Sequence, residues 1–84
     1  MFEVLLERHA EKDLDRLSRQ MHDRVVRAIA ALARDPRPTG CRKLAGTKHD
    51  WRSRVGDYRV IYEIADAAKA VRVYRVRHRR EVYR

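Results

Sequence analysis

The sequence predicts an α+β fold in the order β-α-α-β-β-β, with two helices from the N-terminal half packed on one face of a small antiparallel sheet. Three observations lead there. Apolar residues recur at helical spacing from Ala10 to Ala33 and alternate at strand spacing from Trp51 to Arg77. Between the two regions lies Asp35-Pro36-Arg37-Pro38-Thr39-Gly40, whose prolines and glycine end any helix. The chain has 84 residues and is read as a single domain over 1–84. A protein of this size hides about two-thirds of its extended surface, enough for one small core.

The elements follow in order. Phe2 to Glu7 reads as a short strand with Phe2, Val4 and Leu6 on one side. Ala10, Leu14, Leu17 and Met21 then recur at three and four, with Glu11, Lys12, Asp13, Asp15 and Arg16 on the polar face. Val25, Val26, Ile29, Leu32 and Ala33 form a second, wider stripe. The polar Ser18-Arg19-Gln20 stretch divides the two into antiparallel helices, because a continuous helix over 9–34 would be long for so small a domain. Residues 41–50 read as irregular, anchored by Leu44. Trp51–Val55 and Tyr58–Ile64 flank Gly56-Asp57 as a hairpin, and Val71–Arg77 is the last strand. His78 to Arg84 reads as a tail too short for a helix.

Composition excludes several classes. One cysteine permits no internal disulfide, and no Cys or His spacing suggests zinc. No apolar run approaches the roughly 20 residues of a membrane span, and the acidic N-terminus is unlike a secretion signal. A cytoplasmic protein with no cofactor and no resident metal is expected.

Charge is more informative. Of 21 basic residues 17 are arginine, against 12 acids, for a net +9. Residues 1–35 hold seven bases and seven acids, so residues 36–84 carry the whole excess. A neutral half joined to a basic half suggests a polyanion or an acidic protein as partner. With Gly56-Asp57 as the turn, Arg54 faces Arg59, Arg52 faces Ile61 and Trp51 faces Tyr62. Arg52, Arg54 and Arg59 then share one sheet face, and Trp51, Val55, Tyr58, Val60, Tyr62 and Ile64 the other. Like charges directly across a ladder cost stability. A chain that keeps them is read as holding them for an anion. The bland alternative is arginines that fan into solvent.

Asp35–Gly46, Trp51–Ile64 and Val71–Tyr83 read D-P-R-P-x-G-x-R-K-L-A-G, W-R-x-R-V-G-D-Y-R-V-I-Y-E-I and V-x-V-x-R-V-x-H-R-R-E-V-Y. In this order and spacing they resemble the RelE/ParE superfamily of bacterial type II toxin–antitoxin toxins, within it the RelE-like branch, over essentially the whole chain. The resemblance implies a fold like that of small basic microbial ribonucleases. It also implies inhibition of translation by mRNA cleavage, for most such members in the ribosomal A site. A cognate antitoxin restrains the toxin, and operator DNA is bound only through the antitoxin complex. ParE-like members instead inhibit DNA gyrase, which is the alternative function.

Carried onto this chain, the resemblance places the active surface at Arg52 and Arg54, at Arg59 after Tyr58, at Arg79 leaving the last strand, and at Tyr83. Arg77, Arg80 and Lys48 join Arg52 and Arg54 as substrate-binding cations. His78 is a second candidate for proton transfer, since some relatives use a histidine. The first basic pair is commonly lysine in the family and is arginine here, the Arg79-to-Tyr83 spacing is shorter, and the final helix of some members is missing. Arginine suits charge stabilisation and is a poor general base, because its pKa exceeds 12. Arg59 is expected to be exposed, so that truncating it would leave the fold intact.

Overall fold

The computed structural model describes residues 1–82, Val82 by its backbone alone. The elements are β1 (Glu3–Leu6), α1 (Arg8–Asp15), α2 (Arg19–Ala31), β2 (Arg42–Lys43), β3 (Asp50–Val55), β4 (Tyr58–Ala65), β5 (Ala70–His78) and α3 (Arg79–Val82). The expected break between helices falls at Ser18, whose hydroxyl caps α2 by accepting the Met21 N–H at 3.3 Å.

One five-stranded sheet runs β1-β5-β4-β3-β2. β3 and β4 pair as anticipated, with Val55 opposite Tyr58, Arg54 opposite Arg59 and Trp51 opposite Tyr62. Gly56 has φ +59° and Asp57 has no positive φ, which is the pattern of a type II′ hairpin turn. The sheet differs from expectation at its edges. β1 joins it parallel to β5, so the sheet is mixed, the intervening helices supplying the crossover a parallel pair requires. β2 forms inside the stretch read as irregular, pairing Arg42 with Arg52 and Lys43 with Trp51. The tail read as too short for a helix makes one helical turn, α3, held by Glu81 accepting from the His78 N–H at 3.2 Å and from Arg77 Nη2 at 3.0 Å. Leu6, which alternation puts on one side of the strand with Phe2 and Val4, is 40% exposed.

Ala10, Leu14, Val25, Ile29 and Leu32 from the helices meet Val55, Val60, Tyr62, Ile64, Val71, Val73 and Val76 from one sheet face. Tyr62 is fully buried, and its hydroxyl donates to the Pro36 carbonyl at 2.8 Å. Burial pushes that hydroxyl's pKa well above its usual value, so it stays a donor. Arg37 pairs with Asp66 through two bonds of 2.8 and 3.2 Å and lies 5.0 Å from the Trp51 ring centroid. These contacts fasten the Asp-Pro-Arg-Pro segment, which leads directly into β2.

β5 contains a register shift that no simple alternation explains. Arg75 pairs with Ile61, but Val73 pairs with Tyr62, leaving Tyr74 as an extra residue. Val71 and Val73 point into the core before the bulge and Val76 after it. Strict alternation would send Arg75 and Arg77 inward. Asp13, expected on the solvent face of α1, is only 8% exposed and sits against this bulge. Its carboxylate accepts from Arg75 Nε and the Val76 N–H, both at 2.9 Å, and from Arg75 Nη2 at 3.2 Å.

Burial alone would raise the Asp13 pKa, but the hydrogen bonds from Arg75 and Val76 and the Arg75 charge outweigh it and hold the carboxyl below its usual range. A carboxyl with a lowered folded-state pKa stabilises the fold above its unfolded value, near pH 4, and loses that contribution as pH falls through the lowered one. Acid titration followed by circular dichroism should show stability declining below about pH 4. The decline should be shallower for Asp13→Asn, measured from its own neutral-pH baseline.

Candidate nucleic-acid interface and active site

The sheet face away from the helices carries a row of arginines. Cross-strand pairing sets Arg42 opposite Arg52, Arg54 opposite Arg59, and Arg59 opposite Arg77, so like charges face each other across β2, β3, β4 and β5. Gly40, Arg42, Arg52, Arg54 and Arg59 line a narrow cleft of about 20 Å³. That is room for little more than one water-sized group.

Arg59 lies at the base of this cleft and is 6% exposed, contrary to the expectation of an exposed side chain. β4 is the central strand, flanked by β3 and β5, and the guanidinium folds back onto the backbone at the hairpin turn. Arg59 Nη1 donates to the carbonyls of Gly56 at 3.2 Å and Tyr58 at 3.0 Å. Among the described residues, no carboxylate pairs with it. Buried charges are ordinarily paired with an opposite charge, and among the described residues Arg59 has backbone carbonyls instead.

The other expected residues are distributed around this group. Arg77 shares the face and is tethered to Glu81, whose carboxyl is held low by that hydrogen bond and by the His78 N–H. Arg79 docks on the hairpin turn: its N–H donates to the Asp57 carbonyl at 2.7 Å, and its Nε lies 3.8 Å from the Asp57 carboxylate. Arg80 is exposed on α3. His78 pairs with Tyr58 on the helix-side face, ring centroids 5.4 Å apart and edge to face. Its Nδ1 faces the Arg80 N–H at 3.2 Å, so the neutral ring carries its proton on Nε2. Lys48 lies in the loop before β3, at the end of that strand away from the hairpin turn. Tyr83 lies outside the described residues.

Two residues of this region were not anticipated. Arg42 completes the cleft, and the adjacent Arg42-Lys43 pair beside Leu44 was the signal for it. Asp13 braces β5, and nothing in a helical polar stripe marks it. Among the described residues, no group of three or more His, Cys, Asp or Glu side chains is placed to hold a metal ion. No described helix is long and apolar enough to cross a membrane.

Residues 4–83 match the family model described as ParE toxin of type II toxin-antitoxin system, parDE. The chain is 38% identical over 79 residues to toxin RelG of Mycobacterium tuberculosis, covering 89% of this chain and 87% of that one. Its structure is similar to that of the archaeal RelE-RelB complex from Pyrococcus horikoshii OT3, with a TM-score of 0.83 at 28% identity, covering 93% of this chain and 94% of that one. It is also similar to the toxin–antitoxin complex RelBE2 of Mycobacterium tuberculosis, with a TM-score of 0.81 at 28% identity, covering 92% and 96%. With the family model matched over residues 4–83 and a relative 38% identical over most of both chains, the chain belongs to the RelE/ParE superfamily of type II toxin–antitoxin toxins.

Proposed function

We propose that this toxin is a metal-independent endoribonuclease that cleaves mRNA in the ribosomal A site and so inhibits translation. The observation that carries the reading is Arg59, a buried guanidinium with no carboxylate partner among the described residues, at the base of an arginine cleft. A phosphate oxygen fits the size of the cleft and would give Arg59 an opposite charge. Charge stabilisation of the phosphorane is usually the largest catalytic contribution in such chemistry, and forked guanidinium donors match phosphate geometry.

In the reaction the 2′-hydroxyl oxygen forms a bond to the adjacent phosphorus and loses its proton. The bond from phosphorus to the 5′-oxygen breaks, and that oxygen gains a proton. Arg59 stabilises the negative charge that develops on the non-bridging phosphate oxygens, with Arg79 approaching from the hairpin turn. Arg52, Arg54 and Arg77 bind the flanking backbone, and Arg80 and Lys48 contact more distant phosphates. The products are a 2′,3′-cyclic phosphate and a 5′-hydroxyl. End analysis of RNA cut by the purified toxin on programmed ribosomes tests this, and 5′-phosphate ends would contradict it.

The proton-transfer group is Tyr83 in this reading. His78 stands on the opposite face from Arg59, so RNA would have to pass around the hairpin end to reach it. In single-turnover cleavage, Tyr83→Phe should lose about 10²-fold or more, and His78→Ala should remain within about threefold of wild type. The reverse pattern would reassign the role to His78.

The cytoplasmic partner is a cognate acidic antitoxin, supported by the net +9 charge and by similar structures described as toxin–antitoxin complexes. Operator DNA is reached only through that complex. A second reading, inhibition of DNA gyrase without catalysis, is favoured by the ParE description of the matched family. The arginine cleft argues against it, since a binding surface gains nothing from a buried cation.

A further inference from the structure

The bulge at Tyr74 decides where the last arginines point. Before it the odd-numbered residues of β5, Val71 and Val73, fill the core; after it the even-numbered Val76 does. Only because of that one-residue shift does Arg77 lie opposite Arg59 on the outer face. β1 covers the edge of β5 no further than Val73, with a last bond from the Glu7 N–H to the Val73 carbonyl at 2.9 Å. From there on that edge would be open. Asp13 closes it at the first residue past Arg75, taking the Val76 N–H and gripping Arg75 with the same carboxylate.

Beyond this point β5 reaches the hairpin turn, where the Arg79 N–H is bonded to Asp57. The segment carrying Arg77 and Arg79 is therefore held at its two ends, by Asp13 and by Asp57. We propose that Asp13 is a positioning residue, its carboxylate locking the β5 bulge in the register that sets Arg77 opposite Arg59 and brings Arg79 to the hairpin turn. The assignment rests on the ribonuclease reading above. Asp13 touches no substrate. It acts through the backbone of Val76 and the side chain of Arg75, so its loss should slow the chemical step and leave ribosome binding almost unchanged.

The test compares the full-length wild type with Asp13→Asn, which keeps side-chain volume but sets an amide N–H₂ against the Arg75 guanidinium or the Val76 N–H. Ile29→Val, a core change on α2 at a residue that makes none of the clamp's hydrogen bonds, controls for stability, each variant's melting temperature being measured. All are assayed well below melting, by single-turnover cleavage on programmed ribosomes and by amide hydrogen exchange. D13N should lose between about 10- and 100-fold in maximal rate, with half-saturation changed less than about threefold. Exchange at Val76 and Arg77 should accelerate relative to the rest of β5. I29V should keep its rate. Should D13N fail to fold, Arg75→Met carries the same test, because it removes one arm of the clamp and leaves the Val76 bond.

A folded D13N that cleaves like wild type overturns the proposal, as does an I29V that loses as much rate. Wild-type protein that cuts no RNA overturns the ribonuclease reading instead, and with it the role in that reaction, while the exchange pattern still reports whether Asp13 holds the bulge.

Discussion

Replacing Arg59 by alanine should reduce mRNA cleavage by about 10²-fold or more and abolish growth arrest, because it removes the one cation that the cleft buries. The change also has a structural cost. Two hydrogen bonds, to the Gly56 and Tyr58 carbonyls, are lost next to the hairpin turn, worth about 1 kcal/mol each. Removing the charge relieves repulsion from Arg54 and Arg77, which offsets part of that loss. R59A should therefore remain folded at 25 °C with a modestly lowered melting temperature. Arg59→Lys keeps the charge but loses the forked geometry, and its rate should fall between the two. Wild-type cleavage by a folded R59A would remove this residue from the reacting centre.

Expression of the chain alone should arrest growth, and co-expression with its cognate antitoxin should restore it and allow the two to co-purify. The net charge of +9 steers an acidic chain to this surface. Apolar contact is offered by a groove of about 330 Å³ between α2 and β3, which includes Ala28, Leu32, Pro38 and Val55 with Arg54 at its rim. The complex should weaken as salt rises, since exposed charges are screened. R59A should bind the partner nearly as well as wild type, because a side chain 6% exposed offers little surface to it. Unimpaired growth in the absence of any partner would count against the toxin mechanism proposed for this chain.

The legible parts of the structure were those set by local rules. A two-residue turn with glycine first fixes the hairpin register, and so the Arg54–Arg59 pair follows from reading outward from Gly56-Asp57. The helix break follows from Ser18, whose hydroxyl competes for backbone donors. What escaped depended on distant packing. The direction of β1 relative to β5 is decided by how the helices cross the sheet, and β1's own four residues carry no mark of it. Arg59 is buried on the central strand with its guanidinium turned back onto the Gly56 and Tyr58 carbonyls, which alternation alone does not reveal. The bulge did leave a trace: apolar positions change from Val71 and Val73 to Val76, an odd-to-even switch across Tyr74. Asp13 left none, because a carboxylate on a helix becomes a clamp only when an open strand edge is packed against it.

The central claim, that the arginine cleft performs RNA cleavage, is tested most directly in a purified translation reaction that maps 5′ ends on the mRNA, run beside a DNA gyrase supercoiling assay with the same protein preparation. Wild-type toxin should produce new mRNA ends at the codon held in the A site, R59A should produce about 10²-fold fewer, and neither should alter supercoiling. Intact mRNA together with inhibited gyrase would contradict the account and make the cleft a binding surface.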